Sequence, residues 1–199
     1  MSVVEEKSKL RKFFLEQRLA LSREDVEKKS RQINQNFLHN LLPKIYQKNL
    51  GTIFSIYVSS GCEVCATSIA EYFQEKEIEF SYPKIVGKNQ PLEFLRAEKR
   101  QEFLPNKFFS KIIEPTVGEV VFPNLIILPL LAFDLDMSRL GMGGGFFDRT
   151  INFLKNQKIE ITTIGLAYDF QRSRDTLPVE KTDQRLDFIV TEKTIFLAS

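Results

Sequence analysis

A chain of 199 residues has the size of one ordinary α/β domain, and no Gly/Ser linker divides it. Hydrophobic residues make up 43% and charged residues 27%, as in a soluble globule, and a formal net charge of +2 excludes a strongly basic nucleic-acid binder as the default. No apolar run approaches about 18 residues, and the N-terminal MSVVEEKSKLRK lacks a signal peptide's apolar block, so the chain is expected to be cytoplasmic, with no membrane partner. Phe 18 with Trp 0 means that the core and any ring-binding pocket must be built from Phe and Tyr.

Residues 5–20 read as a charged amphipathic helix with Leu10, Phe13, Phe14 and Leu19 as its apolar positions. Ser22 followed by Asp25 resembles a capping box and opens a second helix, whose stripe runs through Val26, Ile33, Phe37, Leu38 and Leu41 until Pro43 ends it. His39 near that end is expected on the surface. TIFSIYV after Gly51 is a buried strand by length and β-branching, and Ala66 to Gln74 form a helix that faces Ile69, Tyr72 and Phe73 inward. Ile78–Tyr82 is a short strand stopped by Pro83, and Leu92–Leu95 is another. From Glu98 to Gly118 the pattern is irregular, a loop with short pieces and the segment expected to move most. NLIILP at 124–129 is apolar on both faces, as a central parallel strand should be. Phe147, Ile151 and Leu154 mark a helix, Ile161–Ala167 a strand, and DFIVT at 187–191 the last strand. Helices alternating with buried strands argue for a parallel sheet covered on both faces, in a single domain over 1–199.

Cys62 and Cys65 are spaced C-x-x-C. A structural zinc site needs two further ligands, and His39 is the only histidine, so two reduced thiols near a strand end are expected. The same lone histidine, in a polar helical context, leaves little for a Ser-His-Asp triad. Any chemistry here runs by positioning and electrostatics, which phosphoryl transfer allows.

The segment Arg139-Leu-Gly-Met-Gly-Gly-Gly-Phe-Phe-Asp148 lies between a strand and a helix and holds Gly141, Gly143, Gly144 and Gly145. Such a loop brings backbone N–H groups close to an anion, and the helix N-terminus behind it adds free donors. It has no Lys for a P-loop, and Phe146 stands where a dinucleotide fingerprint needs glycine. A tight turn without a ligand is the plain alternative. Asp148 either caps the helix or holds Mg²⁺, and Asp183 in EKTDQRLD is a second loop carboxylate. A helix dipole contributes only about 0.3–1 kcal/mol, far from the roughly 8 kcal/mol of micromolar binding, so cations must come from elsewhere. Lys7 and Arg11, four apart on the first helix, either supply them or form a solvated charged face.

RLGMGGGFFDRT resembles the signature R-L-G-x-G-x-G-[YF]-[YF]-D of the 5-formyltetrahydrofolate cyclo-ligases, also called methenyltetrahydrofolate synthetases. Lys7-x-x-Leu10-Arg11, Glu63, Tyr-Pro83-Lys84, Glu114-Pro115, ILPLLAFD at 127–134, GLAYDFQ and the late T-D-x-x-L-D-x-I-V-T-E extend the resemblance over nearly the whole chain. Gly144 replaces a common Lys, Phe146 and Phe147 replace common Tyr residues, and Thr182 stands where the family usually has His.

The resemblance implies a three-layer α/β/α sandwich with a mostly parallel central sheet. It implies an ATP-dependent closure of 5-formyltetrahydrofolate to 5,10-methenyltetrahydrofolate with Mg²⁺, and the chain is expected to act as a monomer. Carried onto this sequence, the ATP site comprises Lys7, Ser8, Lys9, Leu10 and Arg11, with Arg139, Leu140, Gly141, Met142, Gly143, Gly144, Gly145, Phe146 and Phe147. The folate contacts are Arg11, Val58, Glu63, Met142, Gly143, Gly144, Gly145 and Phe146. Lys7, Arg11 and Arg139 are the catalytic cations, and Asp148 and Asp183 the Mg²⁺ ligands. Two rivals stand beside it: a sugar-phosphate isomerase-like enzyme, which needs a general base and no ATP, and a folate or nucleotide binder without turnover.

Overall fold

The computed structural model describes residues 2–46 and 51–198. The chain opens with helix α1 (Val3–Leu19), capped by a reciprocal Ser2–Glu5 box, then α2 (Arg23–Asn36), where the Ser22 hydroxyl accepts from the Asp25 N–H. A π-helical turn at Phe37–Leu41 leads into the short α3 (Leu42–Ile45). Pro43 therefore sits in the first turn of a helix, where its missing N–H costs nothing, instead of ending one. His39 is exposed as expected.

Next come β1 (Phe54–Ser55), α4 (Thr67–Glu75), β2 (Phe80–Lys84), β3 (Glu93–Arg96), β4 (Phe103–Pro105) and β5 (Ile113–Pro115). They are followed by β6 (Leu125–Pro129), β7 (Ala132–Phe133), β8 (Arg139–Leu140), α5 (Phe146–Asn156), β9 (Thr162–Leu166), β10 (Phe188–Val190) and β11 (Ile195–Leu197). The main sheet has the order β11-β10-β9-β6-β1-β2-β3. Its five inner strands are parallel and its two edges, β3 and β11, antiparallel.

β6 lies at the centre, and its alternation feeds two cores. Leu125 and Ile127 pack with Ile33 and Phe37 on one face, and with Ile69 and Phe73 of α4. Ile126 and Leu128 pack with Ile151 and Leu154 of α5 on the other. Helices thus cover both faces of a mostly parallel sheet, the three-layer architecture expected. Phe supplies much of the filling, with Phe37, Phe54, Phe73, Phe94 and Phe133 fully buried.

Four sequence expectations change. β11 follows the strand taken as last; Ile195 and Phe196 are only partly buried at the sheet edge, so the segment lacks the apolar run that marks an inner strand. β2 runs through Pro83. The Glu79 and Ser81 carbonyls point to β1, so residue 83 faces that side too, but the β1 ladder ends at Ser55↔Ser81 and no partner there asks for its N–H. The irregular stretch 98–118 contains the β4–β5 hairpin. It is tied down by buried Asn106 and Glu114: the Asn106 amide donates to Glu114 Oε1 (2.7 Å) and to the Ile85 carbonyl (3.0 Å), and the Ile85 N–H donates to Glu114 Oε2 (2.9 Å). Finally, α1 buries only half of the apolar stripe assigned to it: Phe14 is buried with Leu10 packed in its cluster, but Phe13 is 55% and Leu19 61% exposed, and Lys7 and Arg18 are buried.

Candidate active site

The carboxyl ends of the parallel strands define where the cavity lies. Tyr57 and Val58 follow β1, Pro83 and Ile85 end or follow β2, and Pro129 and Leu130 end or follow β6; all line one cavity of about 690 Å³. The chain leaves β1 toward β2 on one side, while β6 flanks β1 on the other, so the crevice sits at a topological switch point. The glycine loop between β8 and α5 forms one wall and α1 another.

The loop folds back because its glycines take conformations closed to side chains. Gly143 has φ +96° and lies so close to Arg11 that an added Cβ would sit 3.4 Å from the guanidinium carbon. Gly145, at φ +65°, is the N-cap of α5, and no side chain caps that helix. Arg149 reaches over it, donating to the Gly144 carbonyl (2.8 Å) and lying 5.0 Å from the centre of the Phe146 ring. The first-turn donors of α5 are thereby aimed at the cavity, a geometry suited to an anion.

Asp148 does not cap its own helix. Its Oδ1 accepts from Arg139 Nη2 (2.8 Å) and from the Gln184 N–H (3.0 Å), and Arg139 Nη1 also donates to the Gln184 carbonyl. Burial pushes the Arg139 guanidinium pKa down and the Asp148 carboxylate partly offsets this. Lys7 is 4% exposed, which removes the solvated-face alternative, and donates to Asp183 Oδ2 and to Glu180 Oε2 (2.7 Å). Burial opposes the ammonium form, but the bonds and charges of Asp183 and Glu180 outweigh it and hold Lys7 above the ordinary lysine range. Arg11 Nε donates to the Gly141 carbonyl (3.0 Å).

Asp183 Oδ2 also accepts from the Glu180 N–H (2.8 Å). The other oxygens, Asp148 Oδ2 and Asp183 Oδ1, accept no hydrogen bond among the described residues. Two hard oxygen donors beside an anion cradle fit Mg²⁺, which takes one or two carboxylates together with phosphate oxygens. Among the described residues no group of three His, Cys, Asp or Glu could hold a metal by itself.

At the far end Glu63 follows the Gly61 turn, and its Oε2 accepts the Ser60 N–H (2.9 Å). Burial pushes the Glu63 carboxyl pKa up, against the pull of that N–H and of the Arg18 charge. Cys62 and Cys65 on either side are free thiols, as expected.

The structure therefore brings Lys7, Arg11, Arg139 through Phe147, Asp148, Asp183, Val58 and Glu63 to one cavity. It does not bring Ser8, Lys9 or Leu10 there: Ser8 and Lys9 are exposed, and Leu10 packs against Phe14, Ala132, Leu140 and Leu177, because they fall on other faces of α1. Sequence reasoning passed over Arg18, Tyr57, Glu114, Arg149 and Glu180, which also line it. Arg18 carried a usable signal, since positions 7, 11, 14 and 18 share one helical face.

An anion cradle with opposed cations and carboxylates at the switch point of an α/β sheet is an arrangement suited to binding an anionic ligand. The profile of the 5-formyltetrahydrofolate cyclo-ligase family matches residues 3–192. A 5-formyltetrahydrofolate cyclo-ligase of Mycoplasma pneumoniae is 29% identical over 189 residues, 94% of this chain and 99% of its own. The 5,10-methenyltetrahydrofolate synthetase of Aquifex aeolicus superposes with a TM-score of 0.76 at 30% identity, covering 96% of this chain and 92% of that one. The 5,10-methenyltetrahydrofolate synthetase structure from Mycoplasma pneumoniae gives 0.69 at 27%, covering 94% and 98%. The chain belongs to the 5-formyltetrahydrofolate cyclo-ligase family and is an enzyme of that class.

Proposed function

We propose that this enzyme uses ATP to close 5-formyltetrahydrofolate into 5,10-methenyltetrahydrofolate, releasing ADP and phosphate. The carrying observation is the convergence of Lys7, Arg11 and Arg139 on the glycine loop and the α5 N-terminus, with Glu63 in the same cavity. Lys7, Arg11 and the loop amides hold the triphosphate, and Arg139 orients Asp148. Asp148 and Asp183 hold Mg²⁺ through their free oxygens; the ion, when bound, neutralises phosphate charge. Glu63 and Val58 face the folate ring.

The formyl carbonyl is a poor electrophile, so its oxygen first takes the γ-phosphoryl group: an O–P bond forms, the β–γ bridge breaks, and ADP leaves. N10 of the same molecule then attacks the activated carbon, the C–O bond to phosphate breaks, and N10 loses its proton to solvent. Because N10 is already tethered to the reacting group, proximity is largely pre-supplied and no protein nucleophile is required. The cavity has Phe146 and Phe147 where phenols are common in the family, so catalysis here rests on main-chain amides and cations. We take the chain as a single domain acting as a monomer in the cytoplasm; among the described residues no helix is long and apolar enough to cross a membrane.

The test is the near-ultraviolet absorbance of the methenyl product, followed with and without ATP and Mg²⁺. Growth of the band only with ATP supports the reading. Phosphate release with no folate product, or turnover of a sugar phosphate without ATP, overturns it.

A further inference from the structure

Arg18 is a buried cation that donates no hydrogen bond to an oxygen among the described residues. It is 6% exposed, it lines the cavity, and among the described residues its Nε has no hydrogen-bond partner. Its Nη1 stands 3.9 Å from Glu63 Oε1, beyond a normal N–H···O bond, and its Nη2 4.0 Å from Met142 Sδ, a weak acceptor. A guanidinium carries five donors, and burying donors without acceptors is unfavourable. The neighbouring phenols do not relieve it: Tyr57 gives its proton to the Val64 carbonyl (2.6 Å), and Tyr168 donates to the Glu63 carbonyl (3.2 Å).

The position of Arg18 says what kind of acceptor is missing. Lys7, Arg11 and Arg18 lie on one face of α1, and the eleven steps from first to last span roughly 16 Å along the axis. Lys7 stands at the Asp183 end, Arg11 on the Gly141 carbonyl and Arg18 beside Glu63. A phosphate belongs with Lys7 and the α5 N-terminus, whereas Arg18 meets the glycine loop only through the Met142 side chain. An anionic group at Arg18 would also meet the Glu63 carboxylate. A neutral carbonyl flanked by N–H groups, the edge of a cyclic amide, satisfies both side chains at once, because the donor Arg18 and the acceptor Glu63 stand 3.9 Å apart.

We infer that Arg18 is a substrate-contacting, specificity-determining residue that donates to the ring carbonyl of the pterin while Glu63 accepts from the adjoining ring N–H and amino groups. The inference rests on the proposed folate reading and adds the residue that distinguishes a 4-oxo from a 4-amino ring. Arg18→Met keeps the volume and removes the donors. Since Arg18 is unsatisfied in the free protein, the variant should melt no lower than wild type, whereas a structural arginine would lower the Tm. Calorimetric titration with 5-formyltetrahydrofolate should show Kd raised at least about tenfold, the effect of losing a charge-assisted bond. The KM for ATP should stay within about twofold, since no phosphate contact is removed. The 4-amino counterpart of the substrate should bind wild type more weakly than the 4-oxo compound, and Arg18→Met should abolish that preference. Unchanged Kd, an equal loss for both compounds, or a parallel rise in the ATP KM would overturn the inference. Should Arg18→Met not fold, Arg18→Lys, which keeps a charge and loses the planar fork, should retain part of the 4-oxo preference; full retention or complete loss of folate binding in it counts against the inference. If wild type itself binds neither folate, the folate reading falls first and this one with it.

Discussion

Beside the glycine loop the charges are already paired: Lys7 with Asp183 and Glu180, Arg139 with Asp148. Beside Glu63 the pairing is loose, since Arg18 and Glu63 approach only to 3.9 Å with no hydrogen bond between them. The difference separates two ways of preparing a buried site. Paired charges keep the cations in place without ligand, and an anion entering there must exchange partners with existing carboxylates. Unpaired donors hold their geometry through packing alone, and the ligand supplies bonds that the free protein lacks. The first arrangement suits an anionic ligand that brings its own cation, because Asp183 then keeps a positive partner when Lys7 turns to the anion. The second favours a neutral ring whose edge alternates acceptor and donor.

The comparison is broken most severely at Arg139. In Arg139→Ala the Asp148 carboxylate loses its partner, and stability should drop toward the low end of the about 3–5 kcal/mol typical of a broken buried pair, because Asp148 is 26% exposed. Chemical denaturation reads the loss; an unchanged midpoint would mean that the pair is not holding the loop. Lys7→Ala comes next. It should raise the ATP KM and lower kcat, cutting kcat/KM by about ten- to hundredfold as for one lost charge-assisted contact, with the folate KM little changed. Unaltered kinetics would remove Lys7 from the phosphate end.

Asp148→Asn sharpens the distinction further, since Asn keeps the bond from Gln184 but gives up the charge. Its rate should recover only at raised Mg²⁺, and wild-type turnover at limiting Mg²⁺ would show the carboxylate is no ligand. The mildest effect is one of pH at the other end. Burial first of all holds the Glu63 carboxyl above the usual range. As pH falls through that raised value Glu63 gains a proton and loses its acceptor role, so the folate KM should climb on the acid side and level off above it. Glu63→Gln should flatten this limb while leaving the pH dependence of the ATP KM in place; an acid limb of equal slope in the variant assigns it to another group.

Much of the fold is legible along the chain because burial leaves a local trace. NLIILP has no polar face, so its place at the sheet centre follows from composition alone. The glycines before Phe146 announce a backbone that side chains would block, and the helix after them follows from Phe147, Ile151 and Leu154. The hairpin of β4 and β5 left no such trace: its pairing joins residues about ten apart across a turn that has no Asn-Gly or Asp-Gly signature, and its anchor is a buried Glu114–Asn106 bond that composition assigns to the surface. The same bias hid α1. Lysine and arginine are read as solvated by default, so the sequence marks Phe13 and Leu19 for burial and leaves Arg18 out, although Lys7 and Arg11 are legible as candidate cations; in the structure Phe13 and Leu19 face water and Arg18 is buried.

The sequence by itself determined the order of the inner strands and of the main helices, the glycine turn and the kinship of the chain, since each depends on residues adjacent or periodic along the backbone. Only the tertiary structure decided which charges are buried and with whom. Asp183 and Glu180 meet Lys7 across most of the chain length, and Arg18 is left without an acceptor because α1 packs over the carboxyl ends of the strands, so these are properties of the space between elements and leave no periodic signal in any one of them.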